Sequence, residues 1–367
     1  MAFQITLLLL TTAAFCAAAI QARRSHAGAG QHRLFLLLWG LILLSFVGYE
    51  ALNVLSVLNI LNADPALAAE MGLDAGTSGR AVLTLALSSV AAVGLWLLVA
   101  SVPVRQRLSA LFPAPRPEPL PDRGWPIPWE EQVRGFDPQS PMQAFALGAG
   151  LLLFLQTLLD YLIVGGQTGL ASEGSLDELS LLVSSALTAL MLIGVTLAGT
   201  GLGTDRSWPA VRQRLGLRLP NLSELVMGVG VAGAMIAFQF GAALLWVLFT
   251  SEADVAQQTQ VSRAIAGSVT TFGAAFLVAL FSSLGEEISF RGGLQPVFGL
   301  WPTTLLFALT HIQYQFTVAA LIIFVVGLVF GLTRRHFGTS AAIVAHFCYN
   351  FGLLALSVMA MEMQSLF

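Results

Sequence analysis

The sequence contains no lysine; all 17 of its basic residues are arginine. That excludes every site that needs a lysine amine, among them Walker A phosphate loops, PLP or retinal Schiff bases and kinase ATP sites. Charge of either sign is scarce. Only 10% of the 367 residues are charged, against about 25% in a soluble domain. With a formal net charge of −3, there is no basic field to attract phosphates, and no nucleic-acid partner is expected. Cysteine is nearly absent too. Cys16 and Cys348 each sit inside an apolar run, which leaves no disulfide framework and no cysteine metal cage. What the chain has instead is apolar length: 56% hydrophobic residues and a mean hydropathy of +0.79. The apolar residues come in runs of about 20, the length that crosses a bilayer as a helix. The expected fold is an all-α, polytopic transmembrane helix bundle, with the lipid bilayer as its medium.

Ten spans are expected, at 2–20, 34–61, 81–102, 142–165, 179–201, 224–250, 264–291, 301–316, 317–333 and 339–361. The first is read as a retained span rather than a signal peptide, because its positive charges, Arg23 and Arg24, follow the apolar run instead of preceding it. Arginine-rich loops fall on every second connection: Arg23, Arg24 and Arg33, then Arg105 and Arg107, then Arg206, Arg212, Arg214 and Arg218, then Arg334 and Arg335. The intervening loops carry Asp64, Glu70 and Asp74, then Glu173, Asp177 and Glu178, then Glu252 and Asp254, with Arg263 the one discordant charge. By the positive-inside rule both termini face outward, and a bacterial cytoplasmic membrane is the expected location.

The stretch 104–141 is rich in proline and carries Trp125 and Trp129. It reads as an extended cytosolic linker with interfacial anchors. It divides a three-span front, 1–103, from a seven-span back, 142–367. No internal repeat is visible, which disfavours an inverted-repeat transporter.

Ionisable groups inside a span cost roughly 2.5–3.5 kcal/mol each on the insertion scale. Glu50 and Asp160 lie toward the outer ends of their spans and read as structural, Glu50 within reach of Arg80. The last four spans differ. They contain Glu286, Glu287 and Arg291, then His311, then His346 and Asn350. Such groups must meet one another or line a wet cavity. Glu287 and Arg291 are four residues apart and can pair, which leaves Glu286 about 100° round the helix and free of that pair. Phe307 and His311 share the same spacing, as do His346 and Asn350. All three elements fall in the cytosolic half of the bilayer. A carboxylate in an apolar site can serve as general base, with an imidazole opposite it to hold the same water. A second His with an Asn offers donors to an oxyanion. The residues alone therefore suggest a hydrolase acting on an amide or ester inside the membrane. A buried polar network that merely glues helices together is the bland reading; six such groups are more than glue needs.

The run Glu286-Glu287-x-x-x-Arg291, extended by Phe290 and Gly292, then Phe307-x-x-x-His311, then His346-x-x-x-Asn350, resembles the three motifs of the CPBP family. These are the CAAX-processing and bacteriocin-processing intramembrane proteases, also called the ABI family. The similarity covers about 205–361, with the Leu-Gly-Leu-Arg before span six resembling the family's cytosolic lead-in. The resemblance implies an intramembrane endopeptidase that hydrolyses a peptide bond near the cytosolic face. Glu286 and His311 would activate the water, Glu287 held by Arg291 would support the site, and His346 and Asn350 would stabilise the oxyanion. The substrate would be a peptide or membrane protein, prenylated or not. No metal is expected, because HExxH is missing and Asn is a poor zinc ligand. If zinc is held instead, Glu286, His311 and His346 are its ligands. Two other classes share the pattern: a non-catalytic scaffold or immunity protein on the same fold, and a transporter with a buried polar site. Two rival protease motifs fail on placement. Gly76-Thr-Ser78-Gly79 matches a rhomboid-type GxSG but lies at the outer mouth of span three. Gly201-Leu-Gly203-Thr-Asp205 nearly spells the aspartyl GxGD, but its Asp is one residue late and in a loop.

Overall fold

The computed structural model describes residues 2–25, 28–63, 76–115, 134–164, 177–250, 255, 267–311 and 318–364. These residues form helices and their connections, with no sheet among them. Eight helices are long and apolar enough to cross a membrane, so the protein is an all-α, multi-pass membrane bundle. Arg263, Asp64, Glu70, Asp74, Glu173, Glu252, Asp254, the side chain of Asp160 and linker residues 116–133 lie outside the described residues.

The front half is α1 (Ala2–Arg24), α2 (Ala29–Ala63) and α3 (Thr77–Ala100). Its core is built around Trp39, whose indole N–H donates to the Leu95 carbonyl at 3.3 Å, and Phe145 from the next span, edge-on at 5.4 Å. In lipid, helices associate through packing and polar contacts rather than through water exclusion, so large interlocking rings do the work here. Glu50 is fully buried on α2, and on α3 Arg80 donates to Thr77 at 2.7 Å. Ser78 is exposed in the first turn of α3.

The chain does not become extended directly after α3. Pro103 stands in the first turn of a short helix, α4 (Val102–Leu108), where proline's missing N–H costs nothing. Arg105 of α4 is buried and donates to the carbonyls of Pro138 (2.6 Å) and Val99. Beyond the linker come α5 (Pro141–Val164), α6 (Glu178–Thr200) and the short, arginine-bearing α7 (Trp208–Leu215). Arg23 at the end of α1 pairs with Asp205 in the α6–α7 loop, tying front to back. Gly201 and Gly203 take positive φ to make that loop, so the near-match to GxGD is a turn closed by an ion pair.

The back half continues with α8 (Leu222–Val247), α9 (Phe272–Glu286), α10 (Gln295–Phe298), α11 (Leu300–Leu309), α12 (Val318–Phe337) and α13 (Thr339–Gln364). Asn221 and Glu224 form a reciprocal capping box at the start of α8, and Arg218 pairs with Glu224. Two of the expected spans change shape. The seventh starts at Phe272 and runs on to Phe298, because eight residues, Glu287–Leu294, wind as a π-helix between α9 and α10. The eighth, expected over 301–316, stops at Leu309 with Thr310 and His311 in a turn. Ten residues span about 15 Å, half the hydrocarbon thickness. His311 thus stands at the tip of a half-length helix rather than within a full span.

Candidate active site

The site is assembled on four supports. The first is the close approach of α9 to α6. A Cβ on Gly285 would lie 2.9 Å from the Cα of Ala189, so only glycine lets these helices touch there. The contact fixes the backbone immediately before Glu286. The second is the π-helix, which is anchored to α6 by Ser289. Its hydroxyl donates to the Leu192 carbonyl at 3.0 Å and accepts from Thr196 at 2.9 Å. Its Gly292 carbonyl accepts from Arg214 of α7 at 3.0 Å. Burial, and then the charges of Arg206 and Arg23, lower the Arg214 pKa to about 9. π-turns concentrate at functional sites because they turn side chains out of α-helical register.

The third support is the start of α13, which is stitched to the end of α7. Thr339 donates its N–H to the Gly216 carbonyl (3.2 Å) and its hydroxyl to the Leu215 carbonyl (2.5 Å), while Ser340 Oγ accepts from the Arg218 N–H at 3.0 Å. That fixes His346 about 10 Å along α13 from its N-terminal end. The fourth is the ring of Phe307. His311 packs on it at 4.7 Å, the Arg291 guanidinium carbon lies over it at 4.5 Å, Phe290 meets it edge-on at 5.3 Å and His346 approaches at 6.3 Å. One aromatic ring therefore sits at the meeting point of all three motifs.

The six polar residues form two linked groups. In the buried group, Glu287 and Arg291 are both fully inaccessible, with Arg291 Nε 3.4 Å from Glu287 Oε2. Glu287 Oε1 accepts from His346 Nδ1 at 2.9 Å, and the other imidazole nitrogen, Nε2, faces Asn350 Nδ2 at 3.1 Å. With Glu287 ionised, the proton belongs on Nδ1, so Nε2 accepts from the Asn350 amide. The second amide N–H of Asn350 goes to Ser282 Oγ at 3.0 Å. Phe330 of α12 stacks on the His346 ring at 4.9 Å and holds its plane.

The second group is open. The side chains of Glu286 and His311 are 20% and 23% exposed, which leaves this group reachable while Glu287 and Arg291 are sealed. His311 Nδ1 lies 2.8 Å from the Phe307 carbonyl. A carbonyl only accepts, so Nδ1 carries the proton and the Nε2 lone pair points the other way. It points at Glu286 Oε2, 3.7 Å distant, an oxygen that makes no hydrogen bond among the described residues.

The three i,i+4 pairs expected from spacing are each present as contacts. Ser282, Phe330, Gln295 and the glycines of α12 were missed. Only the glycines carried a signal, since Gly327-x-x-x-Gly331 is a small-residue helix-packing pattern. Among the described residues, no three His, Cys, Asp or Glu side chains form a group able to hold a metal ion. Glu286, His311 and His346 do not converge as a ligand set, because His346 turns one nitrogen to Glu287 and the other to Asn350.

A family model described as Rce1-like, type II CAAX prenyl endopeptidase, matches residues 268–352. That is narrower than the 205–361 suggested by the motifs, and it contains all six polar residues. No curated protein and no solved structure matches the chain. The protein is therefore a multi-pass membrane protein whose residues 268–352 are similar to the Rce1-like type II CAAX prenyl endopeptidases, a match consistent with the CAAX-protease resemblance of its motifs.

Proposed function

We propose that this chain is a metal-independent glutamic endopeptidase that cleaves a peptide or membrane-protein substrate near the cytosolic face. The observation that carries the reading is the facing pair of acceptors, Glu286 Oε2 and His311 Nε2, 3.7 Å apart on two partly exposed side chains, with Oε2 itself turned inward. Two acceptors at that separation are bridged by one water that donates to both, at about 2.8 Å each. Such a water is polarised toward hydroxide. Its oxygen bonds to the substrate carbonyl carbon as its proton passes to Glu286. The oxyanion draws an N–H of Asn350 away from Ser282, being a stronger acceptor than a hydroxyl. The C–N bond then breaks, and Glu286 returns the proton to the leaving amine. Glu287 takes no part in proton transfer. Tied to Arg291 and His346, it keeps the imidazole in the tautomer that holds the Asn350 amide. His346 gives one ring nitrogen to Glu287 and the other to Asn350, which supports a reaction without zinc.

The reading extends to topology: external termini, and a catalytic end turned to the cytosol. The mutual proximity of Arg23, Arg206, Arg214 and Arg334, from three different inter-helix connections, supports it. The deciding experiment is cleavage of a CAAX-sequence peptide, prenylated and unprenylated, by purified protein in liposomes, with Glu286→Gln as the control. Cleavage by the wild type and none by a folded Glu286→Gln is the expected outcome. Equal turnover by both removes Glu286 as the base.

A further inference from the structure

One buried side chain at the site has no part in the chemistry above. Gln295, the first residue of α10, is fully buried, and its amide N–H donates to the Gly331 carbonyl at 2.9 Å. One helical step earlier, Arg291 donates to the Gly327 carbonyl at 3.0 Å. Donors four residues apart on one helix thus grip acceptors four residues apart on α12. Both acceptors are glycines, and both must be. A Cβ at 327 would come within 2.8 Å of the Phe307 ring, and one at 331 within 2.5 Å of Leu300 and 3.2 Å of Gln295 Oε1. The two rungs bring α12 against the π-helix along a fixed line. The upper rung ends on the guanidinium that faces Glu287, and Glu287 in turn holds His346.

We infer that Gln295 is a positioning residue: its rung on Gly331 sets the register of α12 against the π-helix, and thereby the angle at which Arg291 meets Glu287 and the orientation of His346. Without the lower rung, Arg291 keeps its partners but pivots about Gly327, and the Glu287–His346 contact loosens. The inference rests on the protease reading for its kinetic consequences. Its geometric consequence, a change at His346, is independent of that reading.

The test is a double-mutant cycle with two readouts. Gln295→Met keeps volume and removes the donor. Gly331→Ala keeps the Gln295 amide chemically intact and pushes it and the acceptor apart. In liposomes with a CAAX-sequence peptide, each is expected to lower kcat about fivefold to tenfold, the size of one buried hydrogen bond, with KM within about twofold. The double variant should lose no more than the worse single variant, because both act on one contact. Gln295→Glu should lose more and shift the pH–rate profile, since it offers Arg291 a second carboxylate in competition with Glu287. The second readout is the ring 15N signals of His346 in uniformly labelled protein, assigned by their loss in His346→Ala. They should move in both single variants. Wild-type kcat together with unmoved His346 signals in Gln295→Met overturns the inference, as do additive losses in the double variant. If the wild type itself fails to cleave, the protease reading falls, and the 15N signals still decide the role of Gln295. If Gln295→Met does not fold, Gly331→Ala decides it through the same two readouts.

Discussion

Glu286 and Glu287 are sequence neighbours with opposite surroundings, so replacing each by glutamine should have opposite consequences. Glutamine keeps size and removes charge. At 286 the carboxylate is 20% exposed and its inner oxygen makes no hydrogen bond among the described residues, so folding loses little. The reaction loses its base. A positioned general base is worth about 10²–10⁴ in rate, or about 2.7–5.4 kcal/mol at 1.36 kcal/mol per decade. At 287 the carboxylate is fully buried against a fully buried Arg291 and accepts from His346. Removing its charge strands a guanidinium in the bundle, a loss of about 3–5 kcal/mol by analogy with other broken buried pairs. The assay pairs peptide cleavage in liposomes with thermal unfolding in detergent. Glu286→Gln should unfold at the wild-type temperature and cleave at least 100-fold more slowly, on the order of the lower general-base value. Glu287→Gln should unfold markedly earlier. Indistinguishable unfolding temperatures for the two variants would refute the division into an open, catalytic carboxylate and a sealed, structural one.

Asn350→Ala should lower kcat by about 10²–10³, as for other oxyanion donors, and added zinc should not restore it; restoration by zinc would point to a metal-loaded site. Turnover by the wild type should likewise survive strong chelation with no stoichiometric zinc in the purified protein. A reporter inserted between Arg334 and His336 should read cytosolic and one fused after Phe367 external, and a cytosolic C-terminus would break the proposed topology. Hydrogen bonds from Arg23 hold the Asp205 pKa down, to about 2. A depressed carboxylate stabilises above its unfolded value, about 3.9, and loses that contribution as pH falls toward 2. Asp205 is more than half exposed, so the tie is worth under about 1 kcal/mol. Wild type and Asp205→Asn should therefore differ slightly in unfolding temperature at pH 7 and converge near pH 2, and a gap that persists there would deny the ion pair its role.

The sequence by itself determined what depends on local spacing and on the solvent. Runs of about 20 apolar residues are helices in lipid because no other conformation satisfies the backbone there. The pairs Glu287 with Arg291, Phe307 with His311 and His346 with Asn350 follow from the rise and turn of one helix, and each is a contact in the fold. Tertiary structure decided the rest. The π-helix over Glu287–Leu294 exists because Ser289 and Gly292 find partners on α6 and α7, which no helical periodicity encodes. The half-length α11, expected to run to 316, stops at the turn that hands His311 to Glu286. His346 and Asn350 looked like a pair of oxyanion donors. Their cross-helix partners, Glu287 and Ser282, lie 59 and 68 residues away along the chain and commit one imidazole nitrogen and one amide N–H elsewhere. Spacing within a helix tells which side chains share a face. Which face meets which is settled only when glycines make room, Gly285 for the backbone of α6 and Gly327 and Gly331 for the side chains of Phe307, Leu300 and Gln295.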